Sequence, residues 1–348
     1  MIFSLKKKIF ERWDGFDFDL EKPGDISFIQ RGSTWLRGNA KTVFILFRCG
    51  DRFPFAVAKI VRDERYKDSI EREFQNLNHI RESASFGLLA TVPRPLLLDQ
   101  IEGKTVYLET ALTGRSLSQI LTEEPLFGKR KKVQSLFEKV CHWLKQFYAD
   151  SHQKKTRFSH REVEKYILDP MDIFSSKFSL NTDEKKVIEI LKTEACQLEG
   201  QTFPLVCQHG DFGGGAVLVR KNDIGVIDWE FFSEQNLPLF DLFKLIIHPG
   251  FSYLKSSGYN ILDQFKAVFE LDWYTKLSQA VIFKMCHDMQ IDPGVLKILF
   301  PAFLINLINS HHGEKSENTY RENGRRELFQ YYCRLSIGKN VKNASWLF

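Results

Sequence analysis

The chain has 348 residues, 43% hydrophobic and 27% charged, with 49 Lys+Arg against 44 Asp+Glu and a net charge of +5. That length suits two domains or one large bilobal one with a sizeable core, and the slight basic excess excludes the charge footprint of a nucleic-acid binder. The six cysteines lie far apart with no C-x-x-C pair, which excludes a disulfide framework or a cysteine zinc module and fits reduced thiols in a cytoplasmic protein. The longest apolar stretch, 295–308, contains Lys297, Pro301 and Asn306, so no membrane span is expected. The start of the chain has charge at Lys6-Lys7-Lys8 but no apolar run behind it, unlike a secretory signal.

Residues 1–24 read as an N-terminal extension ending at Pro23-Gly24. Residues 26–30, 42–47 and 55–61 are rich in β-branched and aromatic side chains and read as strands. The link at 31–40 contains Gly32 and Ser33 and has the size of a loop over nucleotide phosphates; a plain hairpin turn looks the same. Lys59 sits inside the apolar run Ala56-Val57-Ala58-Lys59-Ile60. A lysine buried there costs several kcal/mol unless paired, so either it has a carboxylate partner or the strand is an edge in solvent. Ile70, Phe74, Leu77 and Ile80 recur at helical spacing and predict a helix over 69–83. Glu73 lies beside that apolar stripe, as the partner of Lys59 or as a solvated helix charge. Residues 105–112 read as the last strand of this part. The remainder is mostly helical in pattern, at about 133–147, 160–175, 182–198, 238–248, 260–270, 272–290, 293–309 and 324–336, with a polar loop at 315–325.

The chemistry concentrates in Gln208-His209-Gly210-Asp211-Phe212 and Ile227-Asp228-Trp229-Glu230. Each acid ends an apolar run, and a glycine-rich turn lies between them, so short strands and tight loops are expected to present both carboxylates to one cleft. Phosphoryl transfer uses such a pair: one carboxylate accepts a hydroxyl proton, the other holds the magnesium that neutralises phosphate charge. His209 either holds the loop by hydrogen bonds or is a core histidine. Glu230 either assists at the metal or substrate or is a surface carboxylate, and Asp241 either anchors the loop or is a helix N-terminal charge.

These motifs, in this order over roughly residues 25–248, resemble the aminoglycoside phosphotransferase and choline kinase family. The resemblance implies an α+β, bilobal, protein-kinase-like fold: a small antiparallel-sheet lobe with one main helix over 25–112, and a larger helical lobe over 113–348. It implies an ATP- and Mg2+-dependent transfer to a hydroxyl of a small molecule such as an amino alcohol, a sugar or an aminoglycoside-like compound. Asp211 would be the catalytic carboxylate, Asp228 the metal ligand, Lys59 and Glu73 the phosphate-binding pair. Glu109 through its carbonyl and Ala111 through its amide would meet the adenine edge. Phe231, Phe232, Glu234, Trp273 and Tyr274 are either walls of the acceptor site or core packing. One position departs: the family pattern has a metal-binding asparagine five residues after the catalytic aspartate, and here stands Ala216. A methyl group cannot ligate a cation, and Gly213-Gly214-Gly215 adds expected flexibility. A pseudokinase that binds nucleotide or a protein partner is therefore the alternative. A phosphate-ester hydrolase would leave Lys59 and Glu73 without a role.

Overall fold

The structure, a computed structural model, describes residues 1–16, 18, 20–31, 41–83, 86–123, 126–150, 154–221, 223–249, 261–310, 319–338 and 347. The chain forms two compact units: Met1–Arg115 with Ala216–Phe232, and Ser116–Gly215 with Ser233–Phe348. Residues Ala216–Phe232, which the sequence division put with 113–348, thus group with the N-terminal part.

The first unit is built on an antiparallel sheet of β1 (Ile26–Gln30), β2 (Lys41–Arg48), β3 (Ala56–Val61), β4 (Pro95–Ile101) and β5 (Lys104–Thr110), in the order β1-β2-β3-β5-β4. Successive side chains of a strand point to opposite faces. On β3, Ala56, Ala58 and Ile60 therefore enter one apolar cluster, joined by Val106 and Leu108 of β5. The alternate set, Lys59 on β3 opposite Tyr107 on β5, then Glu109 one pleat on, occupies the other face. That face is covered by helix α2 (Lys67–Ser83), which buries Ile70, Glu73, Leu77 and Ile80. The period of 3.6 that puts three aliphatic residues inward puts Glu73 inward with them.

Residues 1–24 are more than an appendage. Helix α1 (Ile2–Glu11) and the turn after it bury Leu5, Ile9, Trp13 and Phe16 in the same cluster as Ile26, Leu46 and Phe55. Each such side chain contributes roughly 1.5–3 kcal/mol of burial, so this segment is part of the core of its unit.

The second unit is mainly helical. Its long helices are Leu126–Asp150, Thr182–Ala195, Asp272–Met289, Leu296–Asn309 and Thr319–Gly338. The last begins at Thr319, so the loop expected over 315–325 is helix from that residue on; residues 315–318 lie outside the described set. The strand Thr202–Gln208 runs between Lys154–Arg157 and Ser233–Asn236, antiparallel to both. The helix Phe240–Ile247 is buried along its whole length. The strand and this helix together frame the segment that carries Asp211.

Candidate active site

In the first unit the Lys59 ammonium is 3% exposed and meets three carboxylates: Glu73 at 2.5 Å, Glu109 at 3.0 Å and Asp228 at 3.1 Å. Burial alone would favour the neutral amine, but Glu109, Glu73 and Asp228 outweigh it and hold the ammonium well above its ordinary value. Glu109 adds a contact that sequence reading missed, since only its carbonyl was expected to act. Its side chain turns inward, accepts a hydrogen bond from Tyr107 Oη at 2.7 Å, and is 2% exposed. Burial pushes its carboxyl up to about 7, against the pull of Lys59. The signal was present in the register: Lys59, Tyr107 and Glu109 share one sheet face by simple alternation.

Asp228 follows the hairpin Val217–Val219/Ile224–Val226. Its φ of +65° is left-handed, a region most non-glycine residues avoid and aspartate tolerates better than most. Its side chain is 44% exposed although one oxygen touches Lys59. Trp229 fixes it in place. The indole is fully buried and donates to the Val226 carbonyl at 2.9 Å. The Trp229 amide donates to Glu73 at 3.3 Å, and Asn76 of α2 donates to the Trp229 carbonyl at 2.8 Å. Glu230 is held by Lys41 at 3.2 Å and by the Ser69 hydroxyl. Lys41, which no local pattern singles out, also lies 3.6 Å from Glu73.

In the second unit Asp211 has its own supports. The Asp241 carboxylate, 1% exposed, accepts the backbone amides of His209 at 2.8 Å and Gly210 at 3.0 Å, one on each oxygen. Burial raises the Asp241 carboxyl above its ordinary value while these donors oppose the rise. His209 is fully buried, and its Nδ1 accepts the Asp211 amide at 3.2 Å. The Asp211 side chain is 42% exposed, and one oxygen lies 2.9 Å from the Lys244 ammonium, itself 4% exposed. Lys244 was also missed. Its signal was a lysine inside the apolar run Phe240-Asp241-Leu242-Phe243-Lys244-Leu245-Ile246-Ile247, one turn after Asp241.

Two expectations change, and one alternative is decided. The Ala111 amide, assigned to an adenine edge, donates to the Phe55 carbonyl at 3.0 Å, because the strand pairing runs one residue past β5. Within the glycine run Gly213 and Gly214 are tightly packed, while Gly215 is open. The Gly214 amide donates to the His248 carbonyl at 3.0 Å, its carbonyl accepts the Ser118 amide at 2.8 Å, and a Cβ there would lie 2.4 Å from the Pro249 carbonyl oxygen. Glycine is used here for close approach of backbones. Tyr274, a candidate wall, is fully buried and donates to the Ile246 carbonyl at 2.6 Å, which makes it core. Gly32 and Ser33 lie outside the described residues.

The donor set decides how a metal would fit. Among the described residues there is no group of three or more His, Cys, Asp or Glu side chains arranged to hold a metal ion. Magnesium does not require one, since it keeps several waters and uses one or two carboxylates besides phosphate oxygens. The half-exposed Asp228 carboxylate fits that demand; Ala216 adds nothing to it, and Glu230 is already engaged. No helix among the described residues is long and apolar enough to cross a membrane.

Comparison with known proteins agrees with the fold. The model of the phosphotransferase enzyme family (APH) matches residues 46–253, more than half of the chain. No curated protein matches by sequence. Among solved structures, a thermostable mutant of aminoglycoside phosphotransferase APH(4)-Ia in ternary complex with ADP and hygromycin B is 13% identical, with a TM-score of 0.56, covering 94% of this chain and 98% of that one. The apo form of the same protein gives a TM-score of 0.57 at 13% identity, covering 94% and 99%. The GDP and kanamycin complex of APH(2")-IIIa is 12% identical, with a TM-score of 0.51, covering 97% and 99%. At these identities the likeness carries the fold, an α+β protein-kinase-like one with an antiparallel-sheet unit and a helical unit.

Proposed function

Since the chain belongs to the phosphotransferase enzyme family, we propose that it transfers the γ-phosphoryl group of ATP to a hydroxyl of a small molecule. The observation that carries this reading is the buried Lys59 ammonium held by Glu73 and Asp228. A lysine so deeply placed, beside a half-exposed carboxylate on strained backbone, suits a phosphate site better than a purely structural ion pair. In this reading Lys59 exchanges its contact with Asp228 for a phosphate oxygen, while Glu73 keeps it charged and aimed. Asp228 would hold Mg2+, whose charge would neutralise phosphate oxygens. Asp211 accepts the acceptor's proton. Its backbone is fixed by Asp241 and His209, and fixed geometry is what a loose phosphoryl-transfer transition state needs most. The acceptor class is an amino alcohol, a sugar or an aminoglycoside-like compound, in cytoplasm.

Asp211→Asn tests the reading. With an acceptor supplied, ATP consumption falls by roughly three orders of magnitude or more, while the melting temperature stays within a few degrees. Unchanged consumption defeats the proposal. Ala216 favours a second reading, nucleotide binding with little or no turnover. Ala216→Asn separates the two: a sharp gain on restoring the amide identifies a crippled site, and no gain shows that the remaining ligands suffice.

A further inference from the structure

Lys244 stands out as a buried charge with no assigned task. It lies on the helix Phe240–Ile247, among side chains that are buried throughout, and is 4% exposed. An aliphatic side chain would fill that slot without the several kcal/mol that burying an ammonium costs. The ammonium is 2.9 Å from one oxygen of Asp211. Three residues earlier on the same helix face, Asp241 grips the amides of His209 and Gly210. One helical turn therefore holds the Asp211 segment at two levels, backbone by Asp241 and carboxylate by Lys244.

We propose that Lys244 is a positioning residue for phosphoryl transfer, its buried ammonium fixing the orientation of the Asp211 carboxylate; this rests on the role given to Asp211 above. The step balances simply. The acceptor O–H bond breaks and its proton passes to Asp211. The acceptor oxygen forms a bond to the γ-phosphorus, and the bond from that phosphorus to the bridging oxygen breaks, its electron pair leaving with ADP. The proton then passes from Asp211 to solvent and the carboxylate is restored. Burial holds the Lys244 ammonium below its ordinary value; Asp211 and Asp241 oppose that fall and Arg325 adds to it, while His209 and Asp241 act on the loop itself.

The test compares the full-length wild-type chain with Lys244→Met and Lys244→Arg, using ATP and an acceptor found by screening. A misplacement of a reacting group by about 1 Å can cost on the order of 100-fold. Lys244→Met is expected to lower kcat by about that factor, leave the KM for ATP within about threefold, and move the acid limb of the kcat profile to higher pH, since loss of a neighbouring cation favours the neutral acid. Lys244→Arg, which keeps the charge, is expected to recover most of the rate. The proposal is overturned by a folded Lys244→Met with the wild-type rate and pH profile. It is equally overturned if Lys244→Arg is no better than Lys244→Met and both lose rate in proportion to lost folded protein. Failure of the wild-type chain to turn over any acceptor is seen before any substitution; it overturns the phosphotransferase reading and this inference together, whereas normal wild-type turnover with an indifferent Lys244 overturns this inference alone.

Discussion

Replacing Lys59 with methionine removes one ammonium and leaves three carboxylates behind. Glu73 is 0% exposed and Glu109 2%, so water cannot take over the task. At about 3 Å and an effective dielectric near 20, each contact attracts by roughly 5 kcal/mol, much of it offset by desolvation of the ions. Breaking one side of a buried pair still costs roughly 3–5 kcal/mol, because Glu109 stays buried without a cation and Glu73 keeps only the more distant Lys41 at 3.6 Å. That is a large share of a typical folding stability of about 5–15 kcal/mol. In the wild type the ammonium is held well above its ordinary value, so its contribution is present throughout neutral pH and is lost only as alkaline pH passes the raised value. In Lys59→Met the buried Glu109 carboxyl loses the cation that opposed its rise and binds a proton more readily. The folded variant then holds more protons than the unfolded chain, and its stability falls as pH rises. Urea melts of both proteins at about pH 5 and pH 8 measure this: the loss should be small at the first and near its full roughly 3–5 kcal/mol at the second. A loss below about 1 kcal/mol at the higher pH, or one that is equal at both, refutes the electrostatic account of the cluster.

A second pH experiment uses Glu109 itself. Burial pushes its carboxyl up to about 7 from an ordinary 4.5, so the folded state keeps a proton that the unfolded chain releases. Its contribution to stability is therefore full below the lower value and lost as pH climbs to the upper one, a change of roughly 3 kcal/mol. Glu109→Gln keeps an acceptor for Tyr107 but cannot titrate, and should flatten the stability profile over that window; an unaltered slope shows that other groups produce it. For the packing of the loop, Gly214→Ala places a methyl against the Pro249 carbonyl and should lower stability by about 1–3 kcal/mol. Gly215→Ala, where nothing lies within 4 Å of the added carbon, should be close to neutral. Equal melting temperatures for the two would remove the close-approach argument.

Periodicity and turn chemistry made much of the framework legible. The alternation in Ala56–Ile60 and the helical spacing of Ile70, Phe74, Leu77 and Ile80 are local patterns, and the structure has strand and helix there. The pairing of Lys59 with Glu73 was also within reach, because a lysine inside an apolar strand demands a partner. What escaped were facts set by tertiary contact. The inward turn of the Glu109 side chain depends on which strand lies beside β3, and the capture of the Ala111 amide depends on how far that pairing runs. Lys244 meets Asp211 across more than thirty residues of chain, a separation no local pattern encodes. The glycine run illustrates the reverse: composition suggested looseness, but the neighbouring backbone at His248–Pro249 makes glycine a steric requirement.

The way Trp229 is seated limits how this protein can be regulated. Its amide and carbonyl are tied to Glu73 and Asn76 on α2, its indole is sealed inside, and Glu73 is in turn bonded to Lys59. Helix and acidic segment are thus riveted into one block. A control mechanism that swung α2 outward would have to drag Asp228 along or tear a tryptophan into solvent. A toggle that moves the helix without the Asp228 segment is therefore costly in this chain.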